Sequence, residues 1–173
     1  VRTGSTLIVG NASALGAASA VTFIDSGTLD LNGYDIGSRI ITLQDNASRL
    51  VNDNTNAAAV VSGPVNMLTN RSNALIGGDG NLTLNGGIAT PVAGTGGGFT
   101  KVGTGTLTLA GSSAYSGTTT VNEGTLAING NQSAATGALT VQSGATLSGS
   151  GTIGGATTIN GRHSPGNSPG IQT

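Results

Sequence analysis

Apolar and polar residues alternate along much of this chain. In Thr106-Leu107-Thr108-Leu109 the leucines take every second position and the threonines the positions between. Successive side chains of a strand point to opposite faces, so these leucines face one way and the threonines the other. Thr125-Leu126-Ala127-Ile128, Leu139-Thr140-Val141 and Leu82-Thr83-Leu84 follow the same rule. Threonine is β-branched and suits the open face of a pleated surface. No stretch keeps apolar residues at i, i+3 and i+4 for long. The Ala-rich segment 11–23 is the one candidate for a short helix, and Gly16 and its serines argue against it. The pattern predicts an all-β chain.

The alternating runs also recur. Gly105-Thr106-Leu107 returns as Gly124-Thr125-Leu126. Leucines in comparable settings stand at positions 7, 29 and 50 and again at 107, 126 and 147, in steps of 19 to 22 residues. A second series, Val121, Val141 and Ile159, moves in steps of 20 and 18. Each repeat thus holds two strand-like pieces around a three-residue turn ending in Gly, as in TTTV-NEG-TLAI and ALTV-QSG-ATLS. One such pair cannot bury its few leucines alone. Copies stacked at the ~4.8 Å spacing of neighbouring strands line them into a continuous column. The expectation is a parallel β-helix (solenoid) of about eight coils, roughly 40 Å long. Gly and Asn belong at its corners, where positive φ is needed and space is short, and asparagine ladders between coils use part of the Asn supply.

Residues 52–98 break the rhythm. The step from Leu50 to Leu82 is 32 residues, too long for one plain coil, so either a loop protrudes there or an unmarked coil intervenes. Strand-like pieces persist at Val60-Val61 and Leu75-Ile76, and PVAGTGGGF (91–99) reads as a flexible turn. The chain divides into 1–95, coils with an irregular segment around 52–98, and 96–173, where the repeats are cleanest and the last residues read as a fragment end.

Composition sharpens this picture. There are 31 Gly, 25 Thr and 16 Asn, with aromatics at 2% and no Cys or Trp. Leu, Ile, Val and Ala must therefore build the core, which favours a narrow one. Only 8% of residues are charged and mean hydropathy is +0.11, the wrong signs for a solvated coil. The basic residues Arg2, Arg39, Arg49, Arg71, Lys101 and Arg162 are scattered and the net charge is −1, so no cationic track exists to replace phosphate counterions and nucleic acid is not expected as a partner. No run of 18 apolar residues offers a membrane-spanning helix. The chain opens at Val1 without a signal-peptide pattern and reads as a piece of something longer.

Candidate chemistry is sparse. His163 is the only histidine, and beside Arg162 and a Ser-Pro-Gly turn it is poorly placed to be held as a base. A parallel β-helix can hydrolyse polysaccharide with paired carboxylates on adjacent coils. Asp25, Asp30 and Asp35, with Asp45 or Asp53, are the candidates, and Asp79 and Glu123 complete the acids. Such sites also need aromatic platforms, and only Phe23, Tyr34, Phe99 and Tyr115 are present. GGDGNLTL (77–84) approaches the calcium nonapeptide, but Leu82 stands where its Asp is required. Asn-Gly-Arg (160–162) and the Asn-x-Ser/Thr triplets at 11, 46, 81 and 131 are chance-level matches. No catalytic residue, cofactor or metal is expected.

Residues 96–128, GGGFTKVGTGTLTLAGSSAYSGTTTVNEGTLAI, closely resemble the passenger-associated strand repeat of bacterial type V autotransporters. The matching positions are Phe99, Lys101, Val102, Gly103, Gly105, Thr106, Leu107, Leu109, Tyr115, Gly117, Thr119, Val121, Gly124 and Leu126. The tail GRHSPGNSPGIQT is similar to the segment that often follows such repeats, with His163 where an apolar residue is usual. The resemblance implies a right-handed parallel β-helix that is part of an adhesin-like passenger. It implies display at the bacterial surface, tethered to the outer membrane through a C-terminal translocator barrel not contained in this sequence. It also implies vectorial folding, coil upon coil, during export. The expected role is a stiff stem that attaches to host surface or matrix protein, to glycan, or to copies of itself, through Thr, Asn and Ser faces or through the 52–98 segment. A polysaccharide-acting β-helix and a phage-fibre-like protein are the alternatives.

Overall fold

The computed structural model describes residues 1–17, 19–68, 73–90 and 96–166. The PVAGT part of the 91–99 turn and the end of the chain from Asn167 lie outside the described residues. Strands are the regular structure among the described residues, and all their named pairings are parallel. The first sheet stacks β1 (Thr6–Ile8), β3 (Thr28–Asp30), β5 (Arg49–Val51), β8 (Ala74–Gly77), β11 (Phe99–Val102), β13 (Thr119–Val121), β16 (Leu139–Val141) and β19 (Thr157–Ile159). The second holds β2 (Val21–Ile24), β4 (Ile40–Leu43), β7 (Val65–Met67) and β10 (Ile88–Ala89). The third holds β6 (Ala59–Val61), β9 (Leu82–Leu84), β12 (Thr106–Leu109), β14 (Thr125–Ile128), β17 (Thr146–Gly149) and β20 (Arg162–Pro165). A short pair, β15 (Asn131–Gln132) and β18 (Thr152–Ile153), completes the wall of the later coils. The chain is a parallel β-solenoid.

Register converts the repeat into a core. In the first sheet Leu7, Leu29, Leu50, Ile76, Lys101, Val121, Val141 and Ile159 stand one above another. In the third, Ala59, Leu82, Leu107, Leu126, Leu147 and His163 do the same. The leucines at 7, 29 and 50 therefore belong to a different face from those at 107, 126 and 147, although their sequence settings look alike. The long step from Leu50 to Leu82 is a change of face, since Leu50 pairs with Ile76. Inward side chains of all the sheets merge into one buried cluster running from Val9 to Leu147. Each leucine fully withdrawn from water there contributes about 1.5–3 kcal/mol.

The solenoid makes about seven turns. An estimate of about eight assumes roughly 20 residues per coil, but the coils from Leu50 to Ile76 and from Ile76 to Lys101 take 26 and 25. Second-sheet strands do not account for the difference, because the coils from Leu7 to Leu29 and from Leu29 to Leu50 carry β2 and β4 in 22 and 21 residues. Between 52 and 98 the chain thus supplies β6 to β10 to all three main sheets.

Candidate functional site

The segment with the densest sequence signal, 96–128, forms one coil and most of the next. Phe99 and Lys101 point inward from β11, Leu107 and Leu109 from β12, Val121 from β13 and Leu126 from β14, and all are buried. Thr106, in β12, alternates outward and stacks on Thr125. Tyr115 packs at the far corner, 6% exposed, edge-on to Phe99 with centroids 5.9 Å apart. Its hydroxyl shares a 2.8 Å hydrogen bond with Thr119, which turns inward to meet it. Burial pushes the Tyr115 phenol up to about 12 against the opposing effect of that bond.

The turn between β11 and β12 is held by backbone proximity. Gly103 has φ +77°, and a Cβ there would run into the Gly78 carbonyl one coil away. Gly105 and Gly117 likewise abut the backbones of Gly80 and Gly97. Gly124 sits against the Lys101 amine, which a Cβ would meet at 2.6 Å.

Lys101 is the unexpected member of the aliphatic column. Its side chain is fully buried, and Nζ leaves the core at the turn to donate to the carbonyls of Val102 (3.1 Å) and Gly103. Burial pushes its ammonium down to about 8, while the carboxylates of Glu123 and Asp79 pull the other way. Because the unfolded chain keeps its proton up to the ordinary value of 10.5, it binds more protons than the native state between the two. The burial penalty is thus complete below pH about 8 and is relieved as pH rises toward 10.5, so stability gains from this residue in that window. Lys101→Met is expected to abolish that gain, read as urea midpoints at pH about 7.5 and about 10. Identical pH dependence in variant and parent would disprove the assignment.

Four of the seven acids converge on the corner between the first and third sheets. Asp30 accepts the Asp53 N–H (3.2 Å), Asp53 accepts that of Asp79 (3.4 Å), and Asp79 accepts both the N–H and the hydroxyl of Thr104 (2.9 and 3.0 Å). Glu123 accepts the Gly103 N–H at 2.9 Å. The Thr104 bonds hold the Asp79 carboxyl below the usual carboxylate range. Each carboxylate thus staples its coil to a neighbour. The remaining acids are dispersed: Asp25 lies on the outer flank of the second sheet, Asp35 bridges to Val60 of the third, and Asp45 takes hydrogen bonds from Ser26 and Ser48 at the opposite corner. Burial works against the ionised Asp45, but those hydroxyls and the Ala47 N–H outweigh it and lower its pKa. The trio Asp25, Asp30 and Asp35 is therefore spread over separate walls. His163 is exposed, in register with Leu147 at the end of the third-sheet column.

Sequence reasoning missed three buried polar residues. Asn52 has no exposed surface and is fully engaged: its amide donates to the Ala57 and Asn81 carbonyls, both at 2.8 Å, and its oxygen accepts from Gly33 (2.8 Å) and Asn54 (3.3 Å). It ties together the coils carrying β3, β5 and β9. Asn54 adds a rung, donating to the Asn32 side chain at 3.2 Å. Arg39 lies 7% exposed with its guanidinium on the carbonyls of Ile36 and Gly16, and buried Ser48 donates to Ile24 at 2.7 Å. The signal for Asn52 is its place directly after the inward-outward run Leu50-Val51, at a corner.

The profile of the passenger-associated-transport-repeat family matches residues 99–128. The chain is also 49% identical over 63 residues to the protein described as Adhesin BmaC autotransporter from Brucella suis biovar 1 (strain 1330). That match covers 36% of this chain and 2% of the relative's length. No solved structure matches. The stacked coil with its buried lysine and close-packed glycine turns coincides with the matched segment, and the two similarities together support an autotransporter passenger repeat there.

Proposed function

We propose that this segment is a non-catalytic stem of a surface-displayed adhesin, which carries an adhesive face away from the outer membrane and folds coil by coil during export. The observation that carries the reading is the single aliphatic spine, in which each coil contacts the coils directly above and below. Stability in such a stack is close to a sum of nearest-neighbour terms, so each emerging coil can be templated by the one already formed. The repeat residues Lys101, Gly103, Gly105, Thr106, Leu107, Leu109, Gly117, Val121, Gly124 and Leu126 serve as its structural nucleus. The C-terminal translocator of the full protein is the tether, and host surface, matrix protein, glycan or a second copy is the attachment partner.

The test is display on a non-adherent bacterium, with the segment joined to a translocator barrel. Cells carrying it should bind immobilised matrix or host cells above cells carrying the barrel alone, and the displayed coils should resist added protease. Attachment no better than the barrel control would end the adhesive reading. Rapid digestion throughout the segment would end the stem reading. Because β6 and β7 are packed strands, deleting 52–75 excises part of the stack and cannot isolate an adhesive loop.

A further inference from the structure

We infer that the cavity between β15 and the Tyr115 corner holds a buried water molecule, which donates to the Gln132 side-chain oxygen and accepts from the hydroxyl pair of Tyr115 and Thr119. It is a structural ligand of the solenoid, bound whether or not the segment is adhesive.

Gln132 supplies the acceptor. In β15 it pairs with Ile153 of the coil on one side, and its Nε2 donates at 2.8 Å to the Gly111 carbonyl of the coil on the other. It is 2% exposed. Described coils enclose it on both sides, so its burial does not depend on either end of the chain. The Gly111 bond also fixes the amide, because the reversed orientation would set oxygen against a carbonyl oxygen. Oε1 therefore points away from Gly111, and among the described residues it has no hydrogen-bond partner. A side-chain oxygen this deep is seldom left unpaired, since its lost hydration is not replaced.

Tyr115 and Thr119 supply the donor. The Thr136 N–H donates to the Tyr115 carbonyl at 3.0 Å, which sets Tyr115 one coil before the turn that follows Gln132. Both hydroxyl residues are buried, and their oxygens share one hydrogen bond of 2.8 Å. Two hydroxyls carry two protons and that bond uses one. The second proton has no acceptor among the described residues. The phenol stays protonated, because burial pushes Tyr115 up to about 12.

All three residues line one small cavity, which has about 10 Å³ of room for a water-sized sphere. That is the space of about one water molecule. Leu126, Leu139 and Ile153 form much of the remaining wall, and no charged side chain lines it. The cavity is thus bordered by an unused donor and an unused acceptor. Water satisfies both at once, and a bridging water is nearly as good as a direct bond. A metal cation would find no carboxylate there, and an apolar guest would leave both groups unpaired. The bridge ties the coil of Tyr115 to that of Gln132, whose amide already holds the Gly111 turn.

Crystallography and water–protein cross-relaxation in solution test this. A crystal structure of the chain should show a density peak within hydrogen-bond reach of Gln132 Oε1 and of the Tyr115 or Thr119 hydroxyl. In the labelled chain, the methyl groups of Leu126 and Leu139 should cross-relax with water, with the sign of a long-held molecule. Gln132→Met approximates the volume and keeps both hydroxyls but removes the acceptor, so both signals should be lost. Unshifted amide resonances in the second sheet establish that the variant is folded. Cross-peaks that survive in Gln132→Met come from hydroxyl protons exchanging with solvent, and they overturn the proposal. A parent cavity without density, or a protein donor seated on Oε1, overturns it whether or not the variant folds.

Discussion

Gly103→Val is expected to remove about 4 kcal/mol or more of stability and to unfold the coils around the repeat. Two costs combine at this residue. Its φ of +77° is unfavourable for any residue with a Cβ and worse for a β-branched one. The new Cβ would also occupy the space of the Gly78 carbonyl, which belongs to the backbone of the next coil and cannot rotate away. Relief requires the coils to part, and parting breaks the ladder between β8 and β11. Gly144→Ala separates the two costs, because Gly144 has φ +87° and a Cβ there would meet no atom within 4 Å. It should cost only the backbone strain of about 1–2 kcal/mol. Urea titration followed by β-sheet circular dichroism measures both. Equal losses for the two variants would show that proximity between coils is not what selects glycine at the turn.

Asn52→Leu carries the next largest effect, a loss of about 3–5 kcal/mol. Leucine approximates the volume but removes two donors and an acceptor, stranding the carbonyls of Ala57 and Asn81 and the N–H groups of Gly33 and Asn54. A buried group left unpaired costs about 1–3 kcal/mol, and these four share one site, so their costs combine less than additively. Hydrogen exchange provides a second readout, with protection expected to fall in β3, β5 and β9 while β16 and β17 keep theirs. Wild-type stability in Asn52→Leu would mean that packing alone aligns these coils.

The two variants bracket how much could be read from the chain. Gly103 stands in a turn that is visible in sequence, but a turn ending in Gly points to Gly105, and only the structure puts the positive φ on Gly103. Asn52 sits among Asn, Asp and Thr residues that look alike on paper. Its place directly after Leu50-Val51 puts Asn52 at a corner, but that place alone does not say that its side chain enters the wall while those of Asn54 and Asn56 stay nearer the surface. Lys101 falls between these cases. Its i, i+2 relation to Phe99 puts it on the inward face by parity, yet its charge argues for solvent. The conflict is resolved by a long stem that crosses the column and delivers the amine to two carbonyls at the turn.

The acids show the same limit. Asp25, Asp30 and Asp35 are five residues apart in sequence, a proximity that suggests a shared groove. A coil turns its corners within that distance, so nearness along the chain places them on different walls. Asp30, Asp53 and Asp79 are 23 and 26 residues apart, and they meet because that separation is one full turn. In a solenoid, neighbours in space are about one coil apart in sequence.

By itself the sequence determined the strand periodicity, the all-β class, the aliphatic composition of the core and the pairing of Leu107 with Leu126 and Leu147, because alternation and repeat spacing act locally and survive small changes in loop length. Only the tertiary structure decided which leucines share a column, that the coils near the middle run longer than the rest, and which polar residues enter the wall. Those outcomes depend on register between chain segments a whole turn apart. A few residues added between strands shift that register without altering the local pattern on either side.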